Sequence, residues 1–184
     1  MKNNDQHGKF TGPAEIRIVR TLPGPIERVW EYLTDSEKRS RWFASGPMEQ
    51  RVGGKVRLEM RHSCIAPSET PPAEYKKAHE GGKSFEGIVT RCEPPHLLAF
   101  TFGSDGESEA IFQLTPQGKD VLLVLTHRST GGDIPYMHEF GAGWHTHLAQ
   151  LVAQLEGTTP PPFWSMLTKL KPEYEKARIV AQQG

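Results

Sequence analysis

Glu15–Leu22 alternates, with Ile16 and Ile18 on one face and Glu15 and Arg17 on the other, which predicts a first strand. Pro23-Gly24-Pro25 ends it and opens a short helix, because proline suits a first helical turn. Ile26, Val29, Trp30 and Leu33 then recur three and four residues apart as one apolar stripe. Asp35 or Ser36 is placed to cap a second short helix reaching Trp42-Phe43. After the Gly53-Gly54 turn the period changes to two. Val56, Leu58 and Met60 alternate with Arg57, Glu59 and Arg61, as in a half-buried strand. Residues 62–83 contain Pro67, Pro71, Pro72 and Gly81-Gly82 and no period, so a long loop is expected there, a kind that often carries function. Strand patterns return at Ser84–Glu93, Leu97–Gly103, Glu107–Thr115 and Asp120–Ser129, separated by proline and glycine turns. About six strands in succession with short turns predict an antiparallel sheet.

The period then becomes helical again. Asp133 is a plausible N-cap with Pro135 in the first turn, and Trp144, Leu148, Leu151 and Leu155 form a stripe that ends at Gly157. Gly141 and Gly143 inside this helix each cost about 1 kcal/mol relative to alanine, which points to close packing or a bend. Beyond the stiff Thr158–Pro162 run, Phe163–Leu170 and Pro172–Gln182 are expected as two short helices. The chain thus divides into a flexible N-terminus over 1–13, one α+β domain over 14–157 and a helical extension over 158–184.

Composition narrows the classes. The 184 residues are 36% hydrophobic, which suits a globular protein. Lys+Arg and Asp+Glu both number 22, so no basic surplus points to nucleic acid and no single-sign field to a membrane surface. The polar opening Met-Lys-Asn-Asn-Asp-Gln lacks the apolar stretch of a secretory signal, and no run of eighteen apolar residues occurs. Two cysteines, Cys64 and Cys92, are too few for a disulfide scaffold. A cytoplasmic location is the expectation.

Four phrases in order carry a family resemblance. Pro25-Ile26-Glu27-Arg28-Val29-Trp30 followed by Trp42-Phe43 resembles the opening of the activator-of-heat-shock-protein-90-ATPase-like branch of the SRPBCC superfamily. Phe85-Glu86-Gly87-Ile88-Val89 is similar to its glycine strand, and Glu93-Pro94-Pro95-His96-Leu97 through Phe102 to the strand that follows. Gly143-Trp144 with His147-Leu148 and Leu151 is similar to its helix signature. The resemblance spans roughly Ile16 to Leu155. It implies a helix-grip (START-like) fold, a curved antiparallel sheet around a long C-terminal helix, with a hydrophobic cavity between them. It implies no single activity, because such folds serve ligand binders, cyclase-like and hydratase-like enzymes and co-chaperone domains. The tail after Gly157 lies outside the resemblance and is a candidate for a homodimer contact.

Candidate cavity residues follow from the strand and helix faces. Phe100 and Phe102 share a face with Leu98, and Phe112 lies between Ala110 and Leu114. Trp42, Phe43, Phe85 and Trp144 are expected around the same space, with Leu148 and Leu151 below Trp144 on the helix. Ordinary core packing uses the same residue types. His127 continues the inward row of Val121, Leu123 and Leu125, and His147 shares the helix face of Trp144 and Leu151. Each is either a structural histidine or a group that orients a ligand or moves a proton. His145 and His147 project from nearly opposite helix faces, and no His-Glu-x-x-His or Cys-x-x-Cys occurs, so no metal and no cofactor is expected. Cys92 reads as a small hydrophobe rather than a nucleophile. Arg57, Arg61, Arg91 and Arg128 alternate along strands and could bind an anionic ligand, but most read as solvated partners of Glu59, Glu86 or Glu109.

Three functions therefore remain: a binder of a small, mostly hydrophobic molecule, a co-chaperone-like domain acting on a chaperone ATPase, or a cyclase- or hydratase-like enzyme. Polar outward strand positions weigh against the second, and the lack of a catalytic pairing against the third. The binder is the reading preferred.

Overall fold

The computed structural model describes residues 4–103, 106–132 and 134–183. Asp133, expected as an N-cap, lies outside them. Among the described residues, seven strands form one antiparallel sheet in the order β1-β2-β7-β6-β5-β4-β3. They are β1 (Lys9–Gly12), β2 (Glu15–Pro23), β3 (Lys55–Met60), β4 (Lys83–Glu93), β5 (Leu97–Phe102), β6 (Ser108–Gln117) and β7 (Asp120–Ser129). β2 pairs with β7 because the first strand crosses back to the end of the meander, for example Ile18 opposite Leu125. Period-two burial in β2 and β7 sends Ile16, Ile18 and Leu22, with Val121, Leu123, Leu125 and His127, to the inner face. On the outer face Leu97, Ala99 and Ile111 form a small separate cluster. Its surroundings are polar: Arg128 pairs with Glu109 at 2.7 Å, and Arg57 with Glu59 at 3.0 Å.

Helices α1 (Ile26–Thr34) and α2 (Ser36–Ser40) follow β2. The stripe Ile26, Val29, Trp30 and Leu33 is buried, and Asp35 caps α2 by accepting from the Lys38 N–H at 2.8 Å. The buried Arg39 donates to the carbonyls of Thr34 and Ala44, both at 3.0 Å. These bonds hold the turn that delivers Trp42 and Phe43 into the core.

Helix α5 (Met137–Glu156) lies against the inner face and packs on β2, ending at Gly157 in the left-handed conformation. Gly141 explains itself by contact. A Cβ there would stand 2.6 Å from Tyr174 Cδ1 and 2.7 Å from Ile16 Cδ1, whereas at Gly143 it would meet open space.

Three segments differ from the sequence expectation. Lys9–Gly12, within the stretch expected to be flexible, forms β1 and pairs with β2. Residues 62–83 are not a plain loop but carry α3 (His62–Ile65), a 3-10 turn over Ala73–Tyr75 and α4 (Lys76–Gly81), all too short for their period to show in sequence. The tail forms one continuous helix, α6 (Phe163–Gln182), instead of two. Pro172 removes one internal hydrogen bond, at a cost of about 3 kcal/mol. Burial of Leu170 and Tyr174 on either side of it, as α6 packs on α5 and β1, offsets that cost. Tyr174 ties the chain ends together: its hydroxyl accepts from the Gly8 N–H at 2.7 Å and meets His145 Nδ1 at 2.9 Å.

Candidate functional site: an apolar pocket closed by the tail

A pocket of about 230 Å³ lies between the inner sheet face, α5, α6 and the 62–83 segment. The sheet contributes Met60, Phe85 and Phe102, and the α1–β3 connection adds Phe43. Helix α5 contributes Phe140, Gly143, Trp144 and His147, one face at helical spacing. Helix α6 adds Phe163, Trp164 and Leu167, while His62, Tyr75, Ala78 and Lys83 come from the 62–83 segment and its edge. Gly143 matters by what it lacks, since a side chain there would project into open space.

The two segments with the least legible sequence hold each other. Pro162 precedes α6 and has no side chain able to cap it; the Glu69 carboxylate does so instead, accepting from the Phe163 N–H at 2.6 Å and the Trp164 N–H at 2.9 Å. Lys171 Nζ donates to Tyr75 Oη at 2.5 Å and lies 3.7 Å from Glu139, joining α6 to the 3-10 turn and to α5. Tyr75 stacks on Trp164 with centroids 5.2 Å apart.

The pocket's histidines are neutral. His147 Nδ1–H donates to the Trp42 carbonyl at 2.7 Å, so Nε2 carries the lone pair. Burial, helped by the neighbouring His62, lowers its pKa to about 3 against the pull of that bond. His62 is lowered to about 4 by burial and by His79. The two rings lie 5.6 Å apart. An imidazole that titrates so low is a weak general base at neutral pH. Among the described residues the lining offers no serine, threonine, cysteine or carboxylate, and Lys83 is its one permanent charge. Cys92 lies elsewhere, its thiol pushed up by burial. The arrangement can hold an apolar molecule and offer it a few hydrogen bonds.

Of the residues singled out in sequence, Phe43, Phe85, Phe102, Trp144 and His147 line the pocket. Trp42, Phe100, Phe112, Leu148 and Leu151 are buried in the core behind it. Phe100 stacks on Phe112 at 5.9 Å, one strand step deeper than Phe102, and Trp42 Nε1 donates to the Tyr32 carbonyl at 2.8 Å. His127 is also behind the wall. Its ring stacks on Phe140 at 4.1 Å and its Nδ1 accepts from Trp144 Nε1–H at 2.9 Å, while burial lowers its pKa to about 3. His127 therefore orients the Trp144 indole that forms the wall. His145 faces Tyr174, on the opposite side of α5 from His147. Sequence reasoning passed over His62, Tyr75, Phe163 and Trp164; the Phe163-Trp164 pair directly after three prolines was the available signal.

A curved antiparallel sheet gripping a long helix, with an apolar pocket between them, defines a START-like helix-grip domain of the SRPBCC superfamily. Within it, the chain belongs to the family described as Activator of Hsp90 ATPase homolog 1-like protein, whose model matches residues 23–156. That match ends with α5, so the α6 wall stands outside the matched core. The chain is similar to the protein encoded by gene BPP1335 of Bordetella parapertussis, with 39% identity over 92% of this chain and 89% of that one and a TM-score of 0.75. It shares its fold with CalU16 of Micromonospora echinospora, with 24% identity, coverage of 91% and 87%, and a TM-score of 0.63. EF2215 of Enterococcus faecalis, a conserved protein of unknown function, matches at 17% identity, with coverage of 95% and 91% and a TM-score of 0.71. No curated protein matches the chain. Among the described residues, no helix is long and apolar enough to cross a membrane.

Proposed function

We propose that this protein binds a small, mostly hydrophobic molecule in the pocket between the sheet, α5 and α6. The observation that carries the reading is an aromatic-lined space left unfilled beside Gly143, against a core of fully buried side chains. A cavity of about 150 Å³ accepts benzene, and drug-sized ligands occupy about 300–1,000 Å³. At about 230 Å³ the pocket suits a compact ligand such as a two-ring aromatic. Neutral His62 and His147 then orient it without the cost of burying a second charge.

The neutral histidines and the absence of serine, threonine, cysteine and carboxylate from the described lining weigh against the enzyme reading. The polar outer face of the sheet weighs against a docking surface for an ATPase partner. Thermal denaturation with a panel of small aromatic compounds tests the proposal. A ligand present at about a hundred times its Kd stabilises the native state by about 2.7 kcal/mol, or roughly 5–11 °C for a chain of this size. The Gly143→Leu variant, whose side chain fills the pocket, is expected to fold and to show no such shift. An equal response from this variant, or none from the wild type, would contradict the proposal.

A further inference from the structure

Three buried nitrogens around Trp164 have no hydrogen-bond partner among the described residues: Trp164 Nε1 and His62 Nδ1, on side chains that line the pocket, and His79 Nδ1, whose ring meets Trp164 outside the lining. Trp164 is 3% exposed and His79 9%. Their rings form one cluster, with centroids 5.1 Å apart for His62 and Trp164 and 5.7 Å for His79 and Trp164. The other tryptophans set the standard. Trp30 Nε1 donates to Gln50 Oε1 at 3.0 Å, Trp42 to the Tyr32 carbonyl at 2.8 Å and Trp144 to His127 at 2.9 Å. Buried polar groups in folded proteins are nearly always paired, and an indole N–H can only donate. Trp164 therefore calls for an acceptor that the described chain does not supply, at a place where its ring is part of the pocket wall.

The chemistry around the cluster selects the acceptor. His62, held neutral by burial, donates through one of its nitrogens and so can add an N–H. Lys83 in the same lining adds a positive charge, and no carboxylate in the lining competes for it. We propose that this end of the pocket is a subsite for the carboxylate of a small aromatic acid. Trp164 Nε1–H and an imidazole N–H of His62 donate to its oxygens, its ring lies among Phe85, Phe102 and Trp144, and Lys83 balances its charge. The inference rests on the pocket reading above and deepens it, from an apolar ligand to an acid with an apolar body.

The test is calorimetric or fluorimetric titration of 2-naphthoate and 2-methylnaphthalene, which share a body and differ in the head. A hydrogen bond to a charged group corresponds to about a tenfold change in affinity or more. Wild-type protein is expected to bind naphthoate at least about tenfold more tightly than methylnaphthalene. Trp164→Phe, which keeps a ring and removes the N–H, is expected to weaken naphthoate by about tenfold and leave methylnaphthalene unchanged. His62→Phe provides a second variant with the same expected direction. Equal binding of both probes, equal weakening of both by Trp164→Phe, or indifference of naphthoate to both variants would overturn the acid subsite while leaving the apolar pocket standing. Failure of both probes to bind would overturn the subsite and the pocket reading together.

Discussion

Alanine at Gly141 and alanine at Gly143 should act in opposite directions, although the two sites are neighbours in one helix. Each replacement removes the helix penalty of glycine, a gain of about 1 kcal/mol. At Gly143 nothing lies within 4 Å of the new Cβ, so the gain stands and the melting temperature should rise by about 2–4 °C. At Gly141 the new Cβ would lie 2.6 Å from Tyr174 Cδ1 and 2.7 Å from Ile16 Cδ1, roughly 1 Å inside the ordinary carbon–carbon contact distance. Overpacking of that kind costs about 1–3 kcal/mol, which offsets or exceeds the helix gain. The difference between the two variants is therefore expected to be about 1–3 kcal/mol, read from urea midpoints at constant slope. Two equally stabilising alanines would refute the reasoning, because they would mean that α6 does not sit against α5 at Tyr174 and that the pocket lacks its third wall.

Further outcomes follow from the same contacts. Glu69→Ala removes the acceptor of two α6 amides; it should cost about 1–2 kcal/mol and speed amide exchange at Phe163 and Trp164. Trp144→Phe leaves His127 Nδ1 buried without its donor and should cost about 1–3 kcal/mol, and a second change, His127→Leu, should recover part of that loss in a double-mutant cycle. Stability should also fall with acid. His127 and His147 have folded pKa values near 3, while an unfolded histidine titrates near 6.5, so below about pH 6 the unfolded state alone gains their protons. Their contribution is complete above that range and is lost as pH falls towards the folded values, at about 1.4 kcal/mol per pH unit for each. For the pair this is about 2.4 kcal/mol between pH 6 and 5, where the unfolded rings are not yet fully protonated at the upper end. Urea denaturation at pH 7, 6 and 5 measures it, and a flat profile would show that these rings are not held neutral.

The fold was legible because its elements have clean periods. The β3 row Val56, Leu58 and Met60 and the α5 stripe from Trp144 to Leu155 face inward as their spacing requires. Inward, however, is not the same as lining. Phe100 and Phe102 share one face of β5, yet only Phe102 lines the pocket, because Phe100 is covered by its stack on Phe112. His127 and Trp144 both face inward by their spacing, and their hydrogen bond places one behind the other. The missed wall came from segments whose order is tertiary. α3 and α4 are each a turn or so long, and α6 contains a proline that local propensity reads as a break. Long-range contacts hold them: Glu69 with the α6 amides, and Lys171 with Tyr75. Sequence spacing carries no mark of such pairs.

The most direct test of a pocket walled by both α5 and α6 is a nitrogen-15 NMR titration that follows the four tryptophan indole signals as 2-naphthoate is added. Trp144 and Trp164 line the pocket, whereas Trp30 lies outside it, bonded to Gln50. The account predicts saturable shifts at the Trp144 and Trp164 indoles with Trp30 unmoved. Shifts at Trp30 alone, uniform shifts at all four, or none at saturating probe would contradict it.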